Sequence, residues 1–200
     1  MKVFVTGGTG LIGKQLVFKL LERNYEVTVL SRNKEKTQDL LPDMVNVIEG
    51  NPAEKGDWQN SLNNTDIVIN LAGEPVINKR WDEKVKKELY DSRINATKNI
   101  VEAISKAENK PNLLINASAV GYYGFQKDDR EIDENETYGK DFLANLCNDW
   151  EFEAKKIQKL DIRNVNLRIG IVLSDKGGAL EKMLIPFKLY VGGYTGNGKQ

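Results

Sequence analysis

The 200-residue chain contains no histidine and a single cysteine, Cys147. Without histidine, neither a Ser-His-Asp triad nor an imidazole general base is available within the chain. With one cysteine as well, the usual zinc ligand sets cannot be assembled. Cys147 has no partner for an internal disulfide, and its apolar neighbours at helical spacing mark it as a core residue. Charge of one sign is also lacking, because acids and bases balance at 29 each. No strong field therefore points to nucleic acid or a membrane surface as partner. No apolar run approaches the roughly 20 residues of a membrane span. The first residues read as a strand, not as the basic start of a signal peptide. These features suit the reducing cytoplasm. Chemistry in this chain must come from Tyr, Ser, Lys, Asp, Glu or a bound cofactor.

What is present is concentrated at the N-terminus. Lys2-Val3-Phe4-Val5-Thr6 reads as a short apolar strand, and Gly7-Gly8-Thr9-Gly10-Leu11-Ile12-Gly13 follows at once. Leu16, Val17, Leu20 and Leu21 then recur at helical spacing. Strand, glycine turn and helix in this order form the context in which G-x-G-x-x-G marks a dinucleotide site. The turn needs backbone angles that glycine reaches cheaply. Absence of a side chain at Gly10 lets a pyrophosphate approach the backbone, and Gly13 lets the helix pack closely on the strand. The first N–H groups of that helix, at about Leu11 and Ile12, lack helical acceptors and face an anion at the positive end of the helix dipole.

The second strand, Tyr25 to Leu30, ends in Ser31-Arg32-Asn33-Lys34. A site for NAD places an acid here, for the ribose 2′-hydroxyl, whereas a 2′-phosphate needs a cation. Arg32 supplies the guanidinium and Ser31 a hydroxyl, so the pattern favours NADP(H). A short third strand is expected over 45–48, with more loop than helix before it. Trp58 and Leu62, four apart, suggest a short helix with Trp58 as a core anchor. Asp66 to Gly73 is a near-continuous apolar run, as expected of a strand buried on both faces of a parallel sheet. Leu71, Ala72 and Gly73 at its carboxyl end should border the ligand. Glu74 reads first as a plain loop acid, with a ligand contact as the alternative.

A long helix is expected over 82–109, with Asp82 as its N-cap and Lys110-Pro111 as its stop. Asn112 to Ser118 is the next core strand and runs into Tyr122 and Tyr123. Residues 128–136 form an acidic loop. A second long helix is expected over 139–160, a further strand over 164–169, and an apolar segment over 179–190 broken near Pro186. The two long helices are candidates either to pair across a homodimer or to pack wholly on the sheet. This alternation argues for an α/β fold, a Rossmann-like doubly wound parallel sheet flanked by helices. The dinucleotide-binding domain is assigned to residues 1–175 and the start of a second region to 176–200.

Several stretches together resemble the epimerase family proteins, an atypical branch of the extended short-chain dehydrogenase/reductase superfamily with its NAD-dependent epimerases and dehydratases. They are the glycine loop, Asn70-Leu71-Ala72-Gly73-Glu74, Lys79-Arg80-Trp81, Ser92-Arg93-Ile94-Asn95-Ala96-Thr97, Ala117-Ser118-Ala119-Val120-Gly121-Tyr122-Tyr123-Gly124, Asp141-Phe142-Leu143-Ala144, Trp150-Glu151 and Gly177-Gly178-Ala179-Leu180. The resemblance implies NADP(H) binding, with a C-terminal substrate domain largely absent from this chain. It implies that Gly7, Thr9, Gly10, Leu11 and Ile12 hold the phosphates, Ser31 and Arg32 the 2′-phosphate, and Leu71 and Ala72 the adenosine and ribose side. Glu88 and Arg93 are expected at the cofactor's polar parts and Val172 near the nicotinamide.

Typical superfamily members carry Tyr-x-x-x-Lys on the helix that follows the 112–118 strand, the tyrosine acting as acid/base. Here Tyr138 is followed four residues later by Phe142, and Lys140 would point elsewhere on a helix. Tyr123 and Lys127 match the string only within a loop, as a coincidence of spacing. Ser118 with Tyr122, or with Tyr123, remains the candidate catalytic pair. Two functions follow: an NADP(H)-dependent oxidoreductase or epimerase acting on a small polar or sugar-nucleotide-like substrate, or a non-catalytic NADP(H)-binding redox-sensing or regulatory protein.

Overall fold

The computed structural model describes residues 1–77, 79–126 and 130–193. Lys127 and the start of the acidic loop, Asp128 and Asp129, lie outside the described residues, as do Asn78 and residues 194–200. Strand β1 (Lys2–Thr6) is buried from its second residue onward. It is followed by α1 (Leu11–Glu22), β2 (Glu26–Ser31), α2 (Lys34–Gln38), β3 (Asn46–Glu49) and a 3-10 turn over Asp57–Leu62. Strand β4 (Ile67–Asn70), α3 (Glu83–Lys106), β5 (Leu113–Ala119), α4 (Phe142–Lys155) and β6 (Arg163–Ile169) complete the alternation.

The six strands form one sheet in the order β3-β2-β1-β4-β5-β6, and each neighbouring pair is parallel. The order reverses between β1 and β4. In open α/β sheets, ligands bind outside the carboxyl ends of the strands at such a reversal. The register sets the mouth of that crevice level, with Thr6 opposite both Leu30 and Asn70, and Asn70 opposite Asn116.

Alternate side chains of the strands feed two apolar layers, as the period of two requires. Val3, Val5, Val27, Val29 and Ile69 pack with Val17 of α1. Phe4, Val68 and Leu114 face the other way, against Ile100 and Ile104 of α3 and Ala154 of α4. Trp58 joins this second layer, stacked on Phe4 at 6.3 Å between ring centroids, with Nε1 donating to the Glu54 carbonyl at 3.0 Å. Helix α3 begins where expected, because the Asp82 carboxylate accepts from the Val85 N–H at 2.7 Å.

Two local expectations for this sheet and its helices are corrected. A short helix, α2, stands where loop was expected. Only Thr37 of it is buried, so it carries no apolar stripe, and the Asn33 side chain caps it by accepting from the Lys36 N–H. Helix α4 begins at Phe142, with Asp141 accepting from the Ala144 N–H at 2.9 Å. Tyr138 and Lys140 therefore precede the helix, and angular spacing on it does not apply to them. Gly139 cannot join the helix because it packs on Gly124, where a Cβ would come within 2.7 Å of the Gly124 Cα.

The chain divides into two compact units, Met1–Ile169 and Gly170–Gln200. In the second, β7 (Leu173–Ser174) and β8 (Gly177–Gly178) form an antiparallel hairpin leading into α5 (Ala179–Lys188). Helix α5 runs past Pro186 instead of breaking there, the Leu189 N–H closing on the Ile185 carbonyl at 3.1 Å.

A polar knot crosses the core just below the crevice. Thr6, Asn70, Thr97 and Asn116 are all fully buried. The Thr6 hydroxyl donates to Asn70 Oδ1 at 2.6 Å, and Asn70 Nδ2 donates to Asn116 Oδ1 at 2.7 Å and to Thr97 Oγ1 at 3.0 Å. Trp150 Nε1 donates to the same Thr97 oxygen at 2.8 Å. Asn70 thus ties β1, β4 and β5 to α3, and Thr97 ties α3 to α4. Each buried polar group left without a partner costs roughly 1–3 kcal/mol. Asn70→Ala strands several, so urea unfolding should show a loss of about 3 kcal/mol; a loss under about 0.5 kcal/mol would contradict this role for the knot.

Candidate functional site

The crevice at the sheet reversal is a cleft of about 610 Å³. Its walls include Gly7, Thr9 and Gly10 from the loop after β1, Ser31 and Arg32 from the tip of β2, Lys36 and Thr37 of α2, Leu71 to Pro75 after β4, and Ser92 of α3. Most of the expected cofactor set thus lines one cleft, and Leu11 and Ile12 open the helix that abuts it.

Gly7 takes φ +70°, the left-handed region that favours glycine, and a Cβ there would lie 2.7 Å from the Leu71 carbonyl oxygen. Gly13 is more tightly held, since a Cβ would fall 2.1 Å from the Gly7 carbonyl oxygen. Helix α1 can therefore start directly over the loop. Gly10 is its N-cap, with no side-chain cap bond, and the first turn carries no acidic residue. The N–H groups of Leu11 and Ile12 have no helical acceptors to use. A Cβ at Gly10 would meet only the Gly7 carbonyl, at 3.3 Å, so its outer side is open to an incoming group. This arrangement suits a diphosphate.

Ser31 is braced by α2. Its hydroxyl oxygen accepts from Thr37 Oγ1 at 2.7 Å and donates to the Asn33 carbonyl at 3.2 Å. Arg32 reaches across the cleft and pairs through Nη1 with Glu74 Oε1 at 3.0 Å. Glu74, half-buried at the cleft rim, is thus engaged by Arg32, a contact that sequence spacing does not reveal. Arg93 lies beneath the loop: Nη2 donates to the Glu74 carbonyl at 2.9 Å and Nη1 to the Leu89 carbonyl at 3.0 Å. Its guanidinium also sits over the Trp150 ring, 5.2 Å from the centroid. Burial pushes its pKa down from the ordinary arginine value. Glu88 is held by Lys79 at 2.6 Å. Val172 belongs to the second unit.

Ser118 and Tyr122 meet around a third residue, Arg168, which lies opposite Ser118 in the β5–β6 register. The Ser118 hydroxyl, 3% exposed, donates to Glu151 Oε1 at 2.7 Å. Arg168 grips the same carboxylate with two donors, Nε at 2.8 Å and Nη2 at 3.0 Å. Its Nη1 donates to the Tyr123 hydroxyl at 2.9 Å, and the guanidinium carbon lies 3.5 Å from the Tyr122 ring centroid. The Ser118 hydroxyl is thus turned to Glu151, and Tyr122 meets the group through its ring face. Sequence reasoning missed Glu151 and Arg168 as functional neighbours, although an arginine inside the 164–169 strand, between Leu167 and Ile169, was a signal that a buried partner awaited it.

Burial pushes the Glu151 carboxyl up, but hydrogen bonds from Arg168 and Ser118 and the charges of Arg168 and Lys155 outweigh it and hold it below the usual carboxylate value. A depressed carboxylate contributes stability that is complete above its unfolded pKa near 4.5 and is lost as pH falls through the lower folded value. Breaking the pair by Glu151→Gln should cost roughly 2–3 kcal/mol at neutral pH. That gap between wild type and variant should narrow in urea titrations run downward from pH 5, through the unfolded value near 4.5 and on through the lower folded one. A gap that stays constant over that range would contradict the assignment.

The sequence profile of the NAD dependent epimerase/dehydratase family matches residues 3–176. The chain is 42% identical over 204 residues to the Arabidopsis thaliana "epimerase family protein SDR39U1 homolog, chloroplastic", covering all of this chain and 57% of that protein. Among solved structures, the human epimerase family protein SDR39U1 with NADPH shares 34% identity at a TM-score of 0.79, with 100% of this chain and 64% of that one covered. A nucleoside-diphosphate sugar epimerase from Corynebacterium glutamicum shares 29% identity at a TM-score of 0.79, with 99% and 39% covered. The chain thus spans about 57–65% of the length of the first curated relatives. Among the described residues, no helix is long and apolar enough to cross a membrane, and the Arabidopsis relative is named as chloroplastic, so a cytoplasmic location does not follow. On the breadth of the profile match, over a parallel sheet with a glycine-loop cleft at its reversal, this chain belongs to the NAD dependent epimerase/dehydratase family.

Proposed function

We propose that the chain binds NADP(H) and forms the dinucleotide-binding part of an oxidoreductase or epimerase acting on a small polar or sugar-nucleotide-like substrate. The observation that carries this reading is the meeting of two anion sites in one cleft. An uncapped helix start lies over Gly7 to Gly10, and Arg32 with Ser31 stands at the tip of β2, where an acid would mark NAD. The human relative, whose crystal structure is one with NADPH, supports the same choice of cofactor.

In this reading the N–H groups of Leu11 and Ile12, with Thr9 and the glycine backbone at Gly7 and Gly10, hold the diphosphate. Ser31 and Arg32 hold the 2′-phosphate, and Leu71, Ala72 and Gly73 line the adenosine and ribose. Arg93 positions the 73–74 backbone, and Glu88 is assigned to the cofactor's polar parts. A bound nicotinamide supplies hydride chemistry. The chain's own part is orientation of the dinucleotide and, in the catalytic reading, proton handling by Ser118 and Tyr122.

One observation favours the second reading, a non-catalytic redox-sensing or regulatory protein. The Ser118 hydroxyl is buried and its proton is committed to Glu151, and no Tyr-x-x-x-Lys pair stands on α4. The readings part at turnover. NADPH oxidation in the presence of a panel of sugar nucleotides and small carbonyl compounds supports the enzyme, and binding without turnover supports the sensor.

Both readings require the same cofactor preference. NADPH should bind at least tenfold more tightly than NADH. Arg32→Ala should weaken NADPH by about tenfold, the worth of a charge-assisted phosphate contact, and leave NADH within about twofold. Equal affinity for the two cofactors, unchanged by Arg32→Ala, would remove the basis for NADP(H).

A further inference from the structure

The Arg32–Glu74 pair lies across the cleft itself. Arg32 follows β2 and Glu74 follows β4, and in the sheet these strands flank β1 on either side. Two strand spacings of about 4.8 Å separate their tips, so the pair spans the end of β1, over the loop proposed to hold the diphosphate. Both residues line the cleft, and the contact is 3.0 Å.

Glu74 is placed there by its backbone. Its N–H donates to Ser92 Oγ at 3.1 Å, and its carbonyl accepts from Arg93 Nη2 at 2.9 Å. Ser92 is in turn anchored to the Leu89 carbonyl at 3.1 Å. Gly73 lets this loop settle on α3, since a Cβ there would lie 2.9 Å from the Arg93 guanidinium carbon. The carboxylate is therefore aimed by α3 at the guanidinium on the far side of the cleft.

We infer that Glu74 is a specificity-determining residue that competes, within the molecule, with the cofactor's 2′-phosphate for Arg32. The inference rests on the reading that Arg32 receives that phosphate. A carboxylate and a phosphate present similar oxygen acceptors to a guanidinium fork, and only one can take the same Nη donor along its best line. A 2′-phosphate brings up to two charges and three acceptor oxygens, and so displaces the carboxylate. An uncharged 2′-hydroxyl makes no such demand on the guanidinium. Glu74 thus lowers affinity for NADP(H) selectively, holds Arg32 over the cleft in the free protein, and recaptures it as the phosphate leaves.

The test is equilibrium titration of wild type, Glu74→Gln, Arg32→Ala and the double variant with NADPH and with NADH. Glutamine keeps the backbone contacts and the shape. Glu74→Gln should tighten NADPH about three- to fivefold, the upper part of the range for release of an exposed ion pair. NADH should move by less than about twofold, and the gain for NADPH should vanish in the Arg32→Ala background. Unchanged or weaker NADPH binding by Glu74→Gln, with wild type binding NADPH normally, would overturn the competition alone. A gain that persists without Arg32, or appears equally with NADH, would overturn it too, by showing mere removal of a negative charge near a polyanion. Failure of wild type to bind NADPH would instead overturn the reading of the cleft on which the inference rests.

Discussion

The contact on which the site depends is the one between Gly13 and the carbonyl of Gly7. No side chain fits there, because a Cβ would stand 2.1 Å from the carbonyl oxygen. That closeness lets α1 start at Leu11, directly after the turn, with its free N–H groups facing the crevice. The same Gly7, in its left-handed conformation, lies under the Leu71 carbonyl and brings the exit of β4 against the loop. One residue thus fixes the spacing of three backbone segments. The buried Asn70 amide fastens β1, β4 and β5 just below them, so the mouth of the cleft is held by packing and hydrogen bonds on the same strands.

Electrostatically the cleft carries a surplus of positive charge, as a site for a polyanion should. The positive end of α1, worth roughly half a charge, and the cations Arg32 and Lys36 face one acid on the opposite rim, Glu74. On the far side of β5, a charge-paired group joins Ser118, Glu151, Arg168 and Tyr123. Its charges are paired and its carboxylate is buried, which makes it a fastening between β5, β6 and α4 as well as the place where proton chemistry would have to occur. Breaking it therefore bears on stability and on any reaction at once, and the two effects must be measured separately.

Much of this was legible in the sequence, for physical reasons that differ by element. The β1–loop–α1 unit could be read because its glycines serve steric needs local to thirteen residues. Strand β4 and strand β5 could be read from continuous apolar runs, and α3 from its Asp82 cap. Helix α2 could not, because with only Thr37 buried it has no periodic stripe to detect. The start of α4 was placed too early because Gly139 serves a contact with Gly124, distant in sequence and invisible to periodicity. Arg32–Glu74 and Ser118–Glu151–Arg168 are products of strand order and register, which bring together residues dozens of positions apart. The single hint was polarity in the wrong place: Asn70 and Asn116 within largely apolar strands, Arg168 between Leu167 and Ile169, and Glu151 on a buried helix face.

The most direct measurement is a crystal structure of the chain grown with NADPH. The diphosphate should lie against the Leu11 and Ile12 N–H groups over Gly10, with the 2′-phosphate on Ser31 and Arg32. A dinucleotide bound anywhere else, or a cleft closed by protein side chains in its presence, would contradict this structure of the site.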